Sequence, residues 1–293
     1  MTVASSPLAG LAYARIAASD PQESARFAEQ IVGLMRAGES GGEIALRVDD
    51  RSRSLIFAAA IEPSLGLEAW DEAALDGSLS RLAKAGFSVR RASSGESRTR
   101  NAQAALLARD ATGNAIDIVA RPERSGRRFY GARDAGVQGF SSVGLRSTDI
   151  EGDLRFWRAL GAEASDFVGE IAYLAIDAAH HRIAIHPSKG KGPLYLGFEV
   201  GGLDDVMRGH YFLAERQIKI VQGPGREPTS QQMFVRFLGP DGLVYAYAAG
   251  MARRGDRPRS PRQFALRAES LCDWGSRAEG VPELAALNEG ALI

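Results

Sequence analysis

The chain contains one cysteine, Cys272, and four histidines in 293 residues. A lone thiol excludes an internal disulfide and a thiolate metal cluster. Neither sign of charge is in excess, because 36 basic and 36 acidic side chains cancel. The basic ones are scattered, so nucleic acid and anionic membrane surfaces are not expected partners. The local exception, MARRGDRPRSPRQFALR at 251–267, reads as a solvated connection. No uncharged apolar run reaches the length of about 18 residues that a membrane span needs. The amino-terminal MTVASSPLAGLAYARIAASDP also lacks a basic region followed by a long apolar one, so the expectation is a soluble, cytoplasmic protein with no membrane partner. No spacing supports a Ser-His-Asp or Cys-His set, and 223-GPGR-226 lacks the Gly-Lys-Ser/Thr ending of a phosphate loop.

What is present is an internal repeat. The strand-like 11-LAYARIAAS-19 leads into Asp20-Pro21 and the helical 22-QESARFAEQIVGL-34, an aspartate cap with proline just inside the helix. The same order returns at 143-VGLRST-148, Asp149 and 150-IEGDLRFWRALG-161. Within each half a second strand and helix follow, 66-GLEAWDEAALDGSLSRLAKAG-86 in one and 194-LYLGFEVGGLDDVMRGHYFLAERQ-217 in the other. Each half then closes with two strands around a turn at Gly113 or Gly242.

This order resembles the vicinal oxygen chelate superfamily, and within it the type I extradiol, catechol ring-cleaving dioxygenases. The resemblance covers about residues 8–280. It is carried by the His180-His181 pair, 198-FEVGGLDDV-206, 223-GPGR-226 ahead of Met233, 240-PDG-242 before a tyrosine-containing strand, and Trp274-Gly275. It implies an α+β fold of two tandem domains, each of paired βαβββ modules forming an incomplete barrel around a cavity. The expected boundaries are 1–125, 138–251 and a tail, 252–293, packing on the domains. The first domain is expected to be structural, the second to hold the chemistry, and the chain to form a homo-oligomer.

The resemblance further implies Fe(II) or Mn(II) held by two histidines and a glutamate, a donor set that leaves the ion electrophilic with open faces. Counting back seven residues from Asp149 places Ser142 at the first ligand position. Tyr195, three before Phe198, takes the second, and Ala246, just ahead of Tyr247, takes the third. None is a metal ligand of that set, so no cofactor is expected. Iron or manganese would require a rebuilt site, for which His180, His186 and Glu199 or Glu227 are the available donors. Glu227 stands where the family has a histidine after Gly-Arg, and Phe237 where it has a tyrosine.

The candidate catalytic residues are therefore His181 and Tyr195, and the candidate substrate-binding residues are Ser142, Glu227, Arg236, Phe237 and Ala246. By strand alternation His180 shares a face with His186, and Tyr245 and Tyr247 face away from Ala246. Cys272 is expected to pack with Trp274. The expected function is binding of an aromatic or apolar small molecule in the second domain without the iron triad. Two alternatives stay open: a ring-cleaving dioxygenase with an atypical metal site, and a non-catalytic structural or partner-binding homologue.

Overall fold

The computed structural model describes residues 6–255 and 260–286. The first half runs β1 (Leu8–Ala17), α1 (Pro21–Phe27), β2 (Met35–Ser40), β3 (Glu43–Arg47), β4 (Leu55–Ala58), β5 (Ser64–Ala69), α2 (Glu72–Lys84), β6 (Val89–Arg91), α3 (Ser94–Thr99), β7 (Ala102–Arg109) and β8 (Ala115–Pro122). The second half repeats it as β9 (Val137–Ser147), α4 (Ile150–Ala159), β10 (Glu163–Val168), β11 (Ile171–Ala175), β12 (Ile183–Pro187), β13 (Gly192–Val200), α5 (Leu203–Glu215), β14 (Ile220–Arg226), β15 (Met233–Leu238) and β16 (Val244–Ala249). The tail contributes β17 (Arg262–Phe264) and α6 (Ala268–Leu271).

Each half is two βαβββ modules joined into one sheet. The first sheet has the order β2-β3-β4-β1-β5-β8-β7-β6, and the second has the corresponding order with β17 added beside β10. The module leaders pair antiparallel at the centre, β1 with β5 and β9 with β13. Each leader also pairs in parallel with the last strand of its own module.

The helix starts follow from the sequence. Asp20 accepts the backbone N–H groups of Gln22 and Glu23 at 2.9 and 3.0 Å, and Asp149 accepts that of Gly152 at 2.9 Å. The first helix is shorter than its pattern, because a π-helical turn, Ala28–Val32, takes over after Phe27.

Apolar packing separates the two sides of the sheets. A large cluster lies under the helices and continues between the halves, including Phe57, Phe156, Trp157, Phe198 and Tyr245. There Phe27 of α1 meets Tyr245 of β16 at 5.3 Å, and the Tyr247 hydroxyl donates to the Ile31 carbonyl at 2.5 Å while accepting from Arg133. Two smaller clusters occupy the concave faces. The first holds Tyr13, Ala45, Ile56 and Val119. In the second, Tyr173, Tyr195, Val221 and Val244 pack with Leu271, Val281 and Leu284 of the tail. Cys272 is buried against Gly225 rather than Trp274, which is 46% exposed; the missing side chain of Gly225 makes room for the sulfur.

Candidate functional site

The second concave face collects most of the residues singled out from sequence. Tyr195 on β13 pairs with Gly144 on β9, and its ring lies flat on that glycine, where an added Cβ would come within 2.3 Å of the ring. Ser142 is next on the same face of β9, beside Gly197. Ala246 on β16 pairs with Gly197 on one side and Arg236 on the other. All three positions expected from the count are thus neighbours across the central strands, and all are buried.

Arg236 supplies the charge. Its guanidinium donates to Gln222 Oε1 at 2.5 Å and to Glu227 Oε1 at 2.6 Å, and stacks 4.1 Å from the Phe234 ring centroid. The second oxygen of Glu227 accepts from Ser230 Oγ at 2.6 Å. This buried pair satisfies its own polar atoms. Burial pushes the Tyr195 phenol up to about 12, with Arg236 opposing the rise.

His181 is fully buried, and its ring sits edge-on to Tyr173 at 4.9 Å. Burial, and then the neighbouring His180 and Arg236, hold it well below the usual imidazole range, so it is neutral. Its tautomer follows from a chain of contacts. His180 Nε2 lies 2.8 Å from Asp166 Oδ2, which also accepts from Arg262, so that nitrogen carries a proton. His180 is itself lowered, chiefly by burial, leaving its Nδ1 as an acceptor. His181 Nδ1–H therefore donates across the 3.2 Å to it, and His181 Nε2 is a bare lone pair, buried and without a partner.

Two expectations need correction. Phe237 points to the other side of β15, under the helices, at 6.0 Å from Tyr245 and 5.2 Å from Tyr247. It is one residue past Arg236, and alternation turns it away from the concave face. The unbroken strand assumed for the histidine pair is not there, because β12 starts only at Ile183 and the chain bends at His180 and Arg182 ahead of it. Tyr245 and Tyr247 do lie opposite Ala246.

His186 reaches the concave face from β12, 5.8 Å from the Tyr195 ring, and hydrogen-bonds the Glu283 carbonyl at 3.0 Å. Glu283 also binds Arg146 and Ser188, fixing the turn Pro282–Leu284 over this face. The tail was expected to pack on the domains, but which face it covers was not legible in the sequence, since that depends on contacts more than 90 residues apart.

The residues present do not fit a divalent iron or manganese ion. Ser142 offers a neutral hydroxyl, Tyr195 a phenol that stays protonated at neutral pH, and Ala246 a methyl group. Of the other donors, Glu227 is engaged by Arg236, His180 by Asp166, and Glu199 is half exposed beside Arg182. Among the described residues no three His, Cys, Asp or Glu side chains form a group able to hold a metal.

Comparisons with known proteins agree with the architecture. Residues 139–247 match the family model of the Glyoxalase/Bleomycin resistance protein/Dioxygenase superfamily. A biphenyl-2,3-diol 1,2-dioxygenase from Sphingomonas paucimobilis is 24% identical over 279 residues, 87% of this chain and 90% of that protein. Among solved structures, a catechol 2,3-dioxygenase superposes with a TM-score of 0.81 at 20% identity, covering 89% of this chain and 93% of its own. An Mn(II)-bound glyoxalase from Novosphingobium aromaticivorans gives 0.83 at 20% identity, with 96% and 95% covered. Residues 139–247 thus form a domain of the Glyoxalase/Bleomycin resistance protein/Dioxygenase superfamily, and the chain as a whole is a homologue of the type I extradiol dioxygenases.

Proposed function

We propose that this chain is a metal-independent homologue of the extradiol dioxygenases, and that it binds a small aromatic hydroxyl compound on the concave face of its second domain. The observation that carries this reading is the buried, unpartnered Nε2 of His181 on a face whose former ligand positions hold Ser142, Tyr195 and Ala246. A phenolic hydroxyl would donate to that nitrogen. An imidazole held so low accepts a hydrogen bond rather than the proton itself, so binding is favoured over proton abstraction. Tyr195 and Tyr173 would flank the ring, and Arg236 would stand beside its oxygen edge. The aromatic class is carried over from the catechol and biphenyl-diol relatives.

The first test is elemental analysis of protein purified anaerobically after growth with added iron and manganese, followed by calorimetric titration with catechol. The expected result is metal far below one per chain, saturable catechol binding, and at least about tenfold weaker binding in His181→Phe, the size expected for one buried hydrogen bond. Near-stoichiometric metal with oxygen uptake on catechol would instead establish a dioxygenase with an atypical site.

One observation favours a second reading, a structural homologue with a closed face: Leu271, Val281 and Leu284 pack directly on Tyr195 and Val244. Absence of catechol binding both in the native chain and in Leu284→Asp, which frees the tail, would select it. Self-association, expected from the resemblance, is checked by light scattering.

A further inference from the structure

The two concave faces have opposite chemistry. In the first half, the strand positions that correspond to Ser142, Tyr195 and Ala246 hold Tyr13, Ser64 and Asp117. These three meet: Asp117 Oδ2 accepts from the Tyr13 hydroxyl at 2.8 Å and from Ser64 Oγ at 2.9 Å. Arg100, just past α3, completes the set by donating to both oxygens of Asp117 at 2.9 and 3.3 Å. With four hydrogen bonds and a guanidinium on it, Asp117 has no capacity left for a cation.

Beside this cluster is a cavity of about 250 Å³. Its charged lining consists of Arg15 on β1, Arg90 on β6, Arg100, Arg109 at the end of β7, Glu62 and Asp117, with Ser64 and Ser88 between them. Four guanidiniums therefore face two carboxylates. Asp117 is spent on Arg100, and Glu62 binds Arg109 at 2.6 Å. The other two arginines are paired with carboxylates that do not line the cavity, Arg15 with Glu43 and Arg90 with both oxygens of Glu96. Arg15 also keeps a buried Nε–H without an acceptor. In the second half the counterparts of Arg15, Arg90 and Arg109 are Gly144, Gln222 and Leu238. The cationic cavity is thus a property of the first half and not of the repeated fold.

We infer that the first domain binds a small oxyanion, a carboxylate or phosphate compound about the size of succinate, between Arg15, Arg90 and Arg109. Guanidiniums approaching from three strands suit an anion with oxygens at more than one end, and Ser64 and Ser88 add neutral donors. The inference does not depend on the reading of the second domain, because none of its residues lies there.

Isothermal titration with succinate, and separately with inorganic phosphate, against a chloride reference at equal ionic strength tests it. Saturable one-to-one binding of either is expected, weakening as salt rises. Succinate alone identifies a carboxylate ligand and phosphate alone a phosphorylated one, while binding of both identifies a general oxyanion site. Arg15→Met should weaken binding about tenfold or more, the loss of one charge-assisted contact. Arg90→Gln, at an exposed position where folding is not at stake, should weaken it several-fold. Arg155→Gln, on the exposed side of α4, should leave it unchanged. No saturable binding of either anion by the native chain, or native affinity in both Arg15→Met and Arg90→Gln, would overturn the inference.

Discussion

At the scale of single residues, the second concave face is governed by neutral groups that burial keeps neutral. His186 is the clearest case, pushed down to about 4 chiefly by burial, with the Glu283 carbonyl opposing. An imidazole with a lowered value in the folded chain contributes stability that is complete above its unfolded value near ~6.5 and is lost as pH falls toward 4. Across that window the loss amounts to about 3 kcal/mol. Urea unfolding at pH 7.5 and pH 5 should show about 2 kcal/mol of it, and His186→Gln should reduce the difference while lowering stability at the higher pH. Gly144 is a second residue-scale constraint. A methyl group there would press into the Tyr195 ring, so Gly144→Ala should cost about 1–3 kcal/mol by chemical denaturation, and Tyr195→Leu in the same chain should restore part of it. The spacings that the family resemblance implies, counted from Asp149, Phe198 and Tyr247, were enough to find Ser142, Tyr195 and Ala246 in the sequence. It could not find the lone pair on His181, which depends on Asp166, fifteen residues back in sequence, orienting His180.

At the scale of elements, the repeat of strand, aspartate cap and helix was legible because capping is local chemistry. Asp149→Ala should remove about 1 kcal/mol, measurable as a lower urea midpoint with an unchanged slope. Elements were misjudged where a local pattern is interrupted by contacts. The helical run after Asp20 was read through to Leu34, but its last turn winds as a π-helix, placing the Ile31 carbonyl where Tyr247 can reach it. The histidine pair was read as lying on a continuous strand. It lies before β12, in a bend where Arg182 donates to the carbonyls of Phe140 and Ser141.

At the scale of the molecule, the tail decides what the second face can do. The turn Pro282–Leu284 is held by Glu283 through Arg146, Ser188 and His186, and Leu284 is 2% exposed. Truncating it in Leu284→Ala should destabilise the chain by about 2–4 kcal/mol. Calorimetry should register the loss together with faster proteolysis at the tail, since its anchor is weakened. If the proposed aromatic site is correct, the same substitution should tighten catechol binding, because the side chains that must move are held less firmly.

Residue order alone specified the duplicated modules, their helix caps and the turns at Gly113 and Gly242, and with the family resemblance it specified the three residues at the centre of the second sheet. The modules, caps and turns follow from local periodicity and capping, and the three residues from spacings that the family resemblance supplies. It took the folded chain to settle that the tail covers the second face, that Phe237 turns away from it, and that a cationic cavity lies in the half expected to be structural. Those outcomes depend on which distant side chains meet, and burial and charge pairing are fixed only when the strands and the tail close on one another.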